Sequence, residues 1–166
     1  MNYEPFMEMA LEQAESALST GEFPVGCVIV HGEDLLVTGS RTGTAGGTVN
    51  EIDHAEMVAL RRLADLDETI DKNKTTLFCT LEPCLMCFAA ILLSGIGKIV
   101  YAYEDVMGGG TNCDLTRLAP LYEKCRIPVV PNILREKSLA LFKAYFEGPD
   151  NIYWKESLLA RYTLNL

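Results

Sequence analysis

Four residues in this chain have types and spacings that can do chemistry together. His54 and Glu56 stand two apart in "HAE". Cys84 and Cys87 stand three apart in "EPCLMC", directly after Pro83. A spacing of three puts both thiols on one face of a helix. The first turn of a helix favours thiolate, because its partial positive charge stabilises the anion. Two thiolates and one imidazole make three ligands for a tetrahedral Zn²⁺. The fourth position is then open to water, the arrangement of a catalytic zinc. Such a metal pulls the pKa of water toward neutrality. Glu56 is not needed as a ligand. It is suited to carry a proton between water and a leaving group. One zinc per chain is therefore expected, held by His54, Cys84 and Cys87, with Glu56 catalytic.

Blander readings of the same residues exist. A Cys-x-x-Cys pair can be a redox motif. A closed structural zinc needs a fourth protein ligand. The candidates are Cys79, Cys113, Cys125 and His31, and none stands at a paired spacing. A non-catalytic zinc or redox module is thus one alternative. Glu56 argues against it, because a closed site has no use for a proton carrier.

The elements that must position these residues follow from the pattern. With 166 residues, the chain is long enough for one domain with one core. No repeat, linker or low-complexity tract divides it, so residues 1–166 read as a single domain. Residues 5–19 place Phe6, Met9, Ala10, Ala14, Ala17 and Leu18 on one helical face. Residues 25–30 and 35–39 read as two strands joined by a turn. Residues 40–53 have no periodicity and read as a loop. A helix is expected from about His54, with Asp53 as its N-cap. Residues 75–81, 98–103 and 127–131 read as further strands. Pro83 is expected in the first turn of a helix that runs to Leu93. Helices are expected over 135–146 and 152–161. Strands alternating with helices indicate an α/β layered domain around a mixed sheet.

Composition narrows the function. Apolar residues make up 49% of the chain, normal for a globular protein. The longest apolar run is far too short to span a bilayer. The N-terminal residues are acidic rather than basic and apolar, so no secretory signal is expected and a cytoplasmic location is. Six cysteines without an export signal do not predict a disulfide framework. Cys27 and Cys79 sit in apolar runs and are expected to be buried. Net charge is −9. Residues 1–60 hold ten acids against Arg41 alone, while the remaining residues hold thirteen of each sign. Nucleic-acid binding draws on Lys/Arg contacts to phosphate. The charge therefore favours a small-molecule partner over a nucleic acid.

The combination H-x-E with P-C-x-x-C is the known signature of zinc deaminases. "GEFPVGCVIV", "DHAEMVAL", "TLFCTLEPCLMCFAAILLSGIGKIVY" and "GGG" at 108–110 carry the likeness further. Over residues 5 to about 112 the chain resembles the cytidine deaminase-like superfamily. The branch it resembles holds tRNA adenosine deaminases, fungal-type cytosine deaminases and guanine deaminases. The resemblance implies a three-layer α/β fold, a mixed five-stranded sheet with helices on both faces. It implies that His54, Cys84 and Cys87 ligate zinc, and that Glu56 shuttles the proton. The Cys84 backbone N–H would hold the reacting oxygen. It implies hydrolytic release of ammonia from a nucleobase or nucleoside of cytosine, guanine or adenine type, and a homodimer. A tRNA-specific adenosine deaminase making inosine is the alternative within the same chemistry.

Two features depart from the branch or divide it. The branch usually has an asparagine after the second strand that touches the substrate. Here "GSR" puts Arg41 there, so Asn50 becomes another candidate. The last forty residues resemble the cytosine deaminase end, where the tail caps the pocket. That makes residues 149–166 a C-terminal helix or cap, with Trp154 and Glu156 as candidate base contacts. Phe23 is a candidate pocket wall. Trp154 also reads as an anchor for a C-terminal helix, and Phe23 also reads as core.

Overall fold

The computed structural model describes residues 2–46, 48–66 and 69–166. The first helix, α1 (Glu4–Ser19), begins with a proline in its first turn and buries Phe6, Met7, Ala10, Leu11, Ala14 and Ala17. That three-and-four spacing is the stripe the sequence predicts. The chain then runs through β1 (Gly26–His31), β2 (Asp34–Ser40), α2 (Ala55–Ala64), β3 (Thr75–Leu81), α3 (Leu85–Leu93) and β4 (Lys98–Tyr103). It finishes with α4 (Pro120–Glu123), β5 (Val129–Val130), α5 (Arg135–Glu147) and α6 (Leu158–Asn165).

The five strands form one mixed sheet in the order β2-β1-β3-β4-β5. β1 pairs antiparallel with β2 and β3, while β3–β4 and β4–β5 are parallel. Every residue of the central strand β3 is buried. Phe6, Met7 and Ala10 of α1 pack with Val28, Val30, Phe78 and Val100 on one side of the sheet. Residues of α2, α3 and α5 pack with Cys27, Ile29, Leu77 and Cys79 on the other. The fold is the mixed five-stranded α/β arrangement expected from the sequence.

Two glycines set how closely the helices approach. A Cβ on Gly26 would lie 2.0 Å from the Ala10 carbonyl oxygen of α1. A Cβ on Gly39 would lie 2.2 Å from the Ala55 carbonyl oxygen of α2. Only glycine permits either contact. The second contact matters for chemistry, because Ala55 lies between His54 and Glu56.

Several boundaries differ from the sequence expectation. The N-cap of α2 is His54, not Asp53. The Asp53 carboxylate is taken up by Arg61 and by the Asn50 amide instead. Pro83 lies outside α3, whose N-cap is Cys84 with an extended backbone. The expected strand 127–131 shrinks to Val129–Val130. Pro128 and Pro131 flank it, and neither can donate to a ladder. No helix covers 152–157. Trp154 takes a left-handed φ of 59°, which a helix cannot contain. Helix α6 starts only after Ser157, whose hydroxyl accepts a hydrogen bond from the Ala160 N–H.

The C-terminal helices are tied to β4 by one buried-edge cluster. Arg135 Nε donates to Glu104 at 2.8 Å, and the Tyr162 hydroxyl donates to the same carboxylate at 2.7 Å. Burial alone would raise the Glu104 pKa, but these two donors outweigh it and hold it at about 2. A carboxyl held below its ordinary value of 4.5 stabilises the fold above that pH. The contribution disappears as pH falls from 4.5 toward 2. Glu104→Gln should therefore cost about 1.5–3 kcal/mol at neutral pH, the worth of charge-assisted hydrogen bonds. In urea titrations the gap between parent and variant should close below pH 4.5. A gap of constant size down to pH 2 would show that the charge is not what matters.

Candidate active site

The two halves of the motif meet at helix starts. His54 caps α2 and Cys84 caps α3, and neither side chain makes a capping hydrogen bond. Both are thus free to face the gap between the helices. His54 Nδ1 lies 3.6 Å from Cys84 Sγ and 3.5 Å from Cys87 Sγ. Among the described residues, these three form the group able to hold a metal ion, with ligand atoms all within 4.8 Å. Zinc with Zn–S near 2.3 Å and Zn–N near 2.05 Å, at tetrahedral angles, requires N···S edges of about 3.6 Å. The observed edges match, so the donor set fits zinc in both chemistry and size.

The electrostatics agree with a metal site. Its hydrogen bond from Cys87, outweighing burial and helped by His54, lowers the Cys84 thiol to about 4. The same bond, with burial, pushes the Cys87 thiol far up. One thiolate is therefore present before any metal binds, and a divalent cation is what would release the second proton. Burial would push His54 down, but the Cys84 thiolate and Glu56 outweigh it and raise its pKa.

Glu56 is buried, only 3% exposed, in the first turn of α2. Burial raises its pKa. Behind it stand Cys27 and Cys79, direct partners on β1 and β3, both fully buried. Burial raises both thiols, so neither competes as an anion. They are the buried small hydrophobes the sequence predicts.

One pocket opens over this floor. His54, Glu56 and Cys84 line it, with Phe23, Arg41, Leu81, Glu82, Asp105, Met107, Tyr153 and Trp154 around them. Phe23 touches the rings of Phe142, Tyr145, Phe146 and Tyr153 at centroid distances of 5.1–6.0 Å, so it is core and pocket wall together. Trp154 lines the rim, packed on Tyr153 at 5.5 Å. Arg41 reaches the pocket but is spent largely on the loop. One of its terminal nitrogens donates to the carbonyls of Thr42 and Asp53 at 2.8 and 3.0 Å.

Two candidates from the sequence lie elsewhere. Asn50 is not part of the pocket lining; its side chain bonds Asp53 and the Ile52 N–H, shaping the loop. Glu156 is exposed and also lies outside that lining. Sequence reasoning missed Glu82, Asp105 and Tyr153. Glu82 accepts hydrogen bonds from Thr111 and from the Asp105 N–H, which braces the glycine loop against the metal-binding segment. Tyr153 had a signal, since it adjoins Trp154 in the tail.

Comparison with known proteins decides the family. Residues 1–103 match the model of the cytidine and deoxycytidylate deaminase zinc-binding region. The chain belongs to this family. The deaminase match extends to curated relatives. A tRNA-specific adenosine deaminase of Rickettsia felis is 32% identical over 141 residues, covering 85% of this chain and 98% of the relative. The tRNA-specific adenosine deaminase 2 of Xenopus laevis is 37% identical over 111 residues, 63% of this chain and 62% of the relative. The match thus spans under two thirds of that relative's length. Among solved structures, a chain from a study of A-to-I editing by tRNA:A34 deaminases shares 27% identity. Its TM-score is 0.64, with 82% of this chain and 97% of that chain covered. The guanine deaminase from Nitrosomonas europaea shares the fold at a TM-score of 0.62, 23% identity and coverage of 84% and 81%. No helix among the described residues is long and apolar enough to cross a membrane.

Proposed function

We propose that this deaminase is a zinc-dependent hydrolase in which His54, Cys84 and Cys87 hold the metal and Glu56 moves the proton. The observation that carries the reading is the meeting of a zinc-sized three-donor cluster and a buried carboxylate at one pocket floor. A zinc ion supplies Lewis acidity that makes water nucleophilic near neutral pH. The water oxygen bonds to the ring carbon that bears the amine, while Glu56 takes one proton from the water and gives it to the adjacent ring nitrogen. Glu56 then moves the second proton from the new hydroxyl to the amine. The carbon–amine bond breaks as the carbon–oxygen double bond forms, and ammonia leaves. Burial lifts the Glu56 pKa toward the working pH, which suits it to both halves of the transfer. The Cys84 backbone N–H at the reacting oxygen, and Phe23 and Trp154 against the base, belong to the same reading. So does a homodimer. Leu85 and Leu93 on α3, both more than half exposed, are apolar side chains it would cover.

For the substrate, the relatives' names support an adenosine in tRNA over the small molecule expected from the charge. A second reading, a free base, is favoured by the pocket itself. Glu82 and Asp105 line it beside Glu56 and repel phosphate, and Tyr153 and Trp154 of the tail close one side. The test offers bulk tRNA and a panel of free bases and nucleosides in parallel. Inosine in tRNA is counted against ammonia from the small molecules. Inosine is the expected product, with turnover falling steeply between 50 and 200 mM salt as phosphate contacts weaken. Ammonia without inosine, unaffected by salt, would overturn the tRNA reading and establish the second.

A further inference from the structure

His54 turns one ring nitrogen, Nδ1, to both thiols. With Nδ1 on a metal, the neutral ring carries its proton on the other nitrogen, Nε2. Ligating histidines ordinarily donate that proton to a carboxylate or carbonyl, which fixes the ring and its tautomer. Here Nε2 faces Glu51 Oε2 at 4.0 Å.

Glu51 is half exposed and sits on the loop before α2, where an unrestrained carboxylate would wander. This one is held from two sides. The Tyr153 hydroxyl donates to Oε2 at 2.8 Å. Arg41 donates to the same oxygen at 3.5 Å. Arg41 is only 2% exposed and is itself pinned by the carbonyls of Thr42 and Asp53. Its guanidinium also lies over the Tyr153 ring, 5.8 Å from the centroid. A hydrogen bond to Nε2 needs an approach about 1 Å closer than 4.0 Å. A partly exposed side chain makes that movement on the nanosecond scale.

We propose that Glu51 is a positioning residue for His54. Its carboxylate accepts the Nε2–H and keeps Nδ1 unprotonated and aimed at the metal, while Arg41 and Tyr153 hold that carboxylate in place. This rests on the reading of His54 as a metal ligand. It gives Arg41 a task other than touching the substrate. It also connects the C-terminal segment to the metal site, because Tyr153 supplies the shortest of the contacts to Glu51.

The test measures zinc affinity by competition with a chromophoric chelator, with no substrate present. Glu51→Ala should bind zinc about 10- to 100-fold more weakly, the usual effect of losing such a partner. Its zinc-free melting temperature should match the parent's, since Glu51 is half exposed. Tyr153→Phe keeps the ring and should lose affinity in the same direction by less. The chain has only two histidines, His31 and His54, so ring-nitrogen NMR resolves each. Zinc-loaded parent should show His54 protonated at Nε2 with slow exchange, and Glu51→Ala should lose that protection. Glu51→Ala binding zinc within threefold of the parent would overturn the positioning role. A parent that takes up no zinc would overturn the ligand reading and this inference together.

Discussion

Glu56→Gln should keep the fold and the zinc and lose at least about 10²-fold in turnover, the scale of a missing general acid/base. The substitution keeps size and shape but removes the buried carboxylate two residues from His54 at the pocket floor. A glutamine cannot take a proton from water and pass it on. The fold should not suffer, because the native carboxyl is buried and its charged form is penalised there. The variant's melting temperature should lie at or above the parent's. Zinc content by elemental analysis and kcat on the productive substrate are the two measurements. A variant with full zinc and near-parent turnover would remove Glu56 from the mechanism.

Removing the metal should have the largest effect. Protein stripped with a chelator should lose all measurable turnover and regain it on adding zinc. Stability should change with it. Zinc present at 1,000 times its Kd adds about 4 kcal/mol to the folded state. For a domain of this size, that is a melting shift on the order of 10 °C. Thiol chemistry gives an independent readout. In the stripped protein Cys84, half-buried and with its thiol lowered to about 4, is the anionic cysteine. It should alkylate first, ahead of the half-buried Cys113 and Cys125, and zinc should protect it. Turnover that survives full stripping, or Cys84 alkylation indifferent to zinc, would contradict a catalytic metal at this cluster.

The two predictions rest on residues that short-range pattern made visible. Cys84 and Cys87 are three apart, and His54 and Glu56 two apart, so each half of the site is local in sequence. A helix start forces each half into a compact group, whatever the rest of the chain does. The strands were equally legible, because "VGCVIV", "TTLFCTL" and "KIVYAY" are rich in β-branched, aromatic and apolar residues. Short-range pattern failed where a competing local interaction won. Asp53 has the chemistry of an N-cap, but Arg61 and Asn50 claim its carboxylate. Residues 152–157 were expected to be helical, but Trp154 turns left-handed and ends any helix there.

What the sequence alone determined is therefore the identity of the reactive set, the order of the elements and the mixed sheet they build. Which loop and tail residues surround that set was decided only by tertiary structure. Arg41, Glu51, Asp105 and Tyr153 come from separate segments, and no periodicity relates them. Asn50 and Arg41 looked alike as candidates, yet one shapes the loop and the other reaches the pocket. The reason is geometric. The close seat of α2 on Gly39 and the return of the tail past Phe23 bring Tyr153 to Glu51, 102 positions earlier. A contact of that separation is fixed by how helices and sheet pack, and packing leaves no mark on the spacing of the residues it joins.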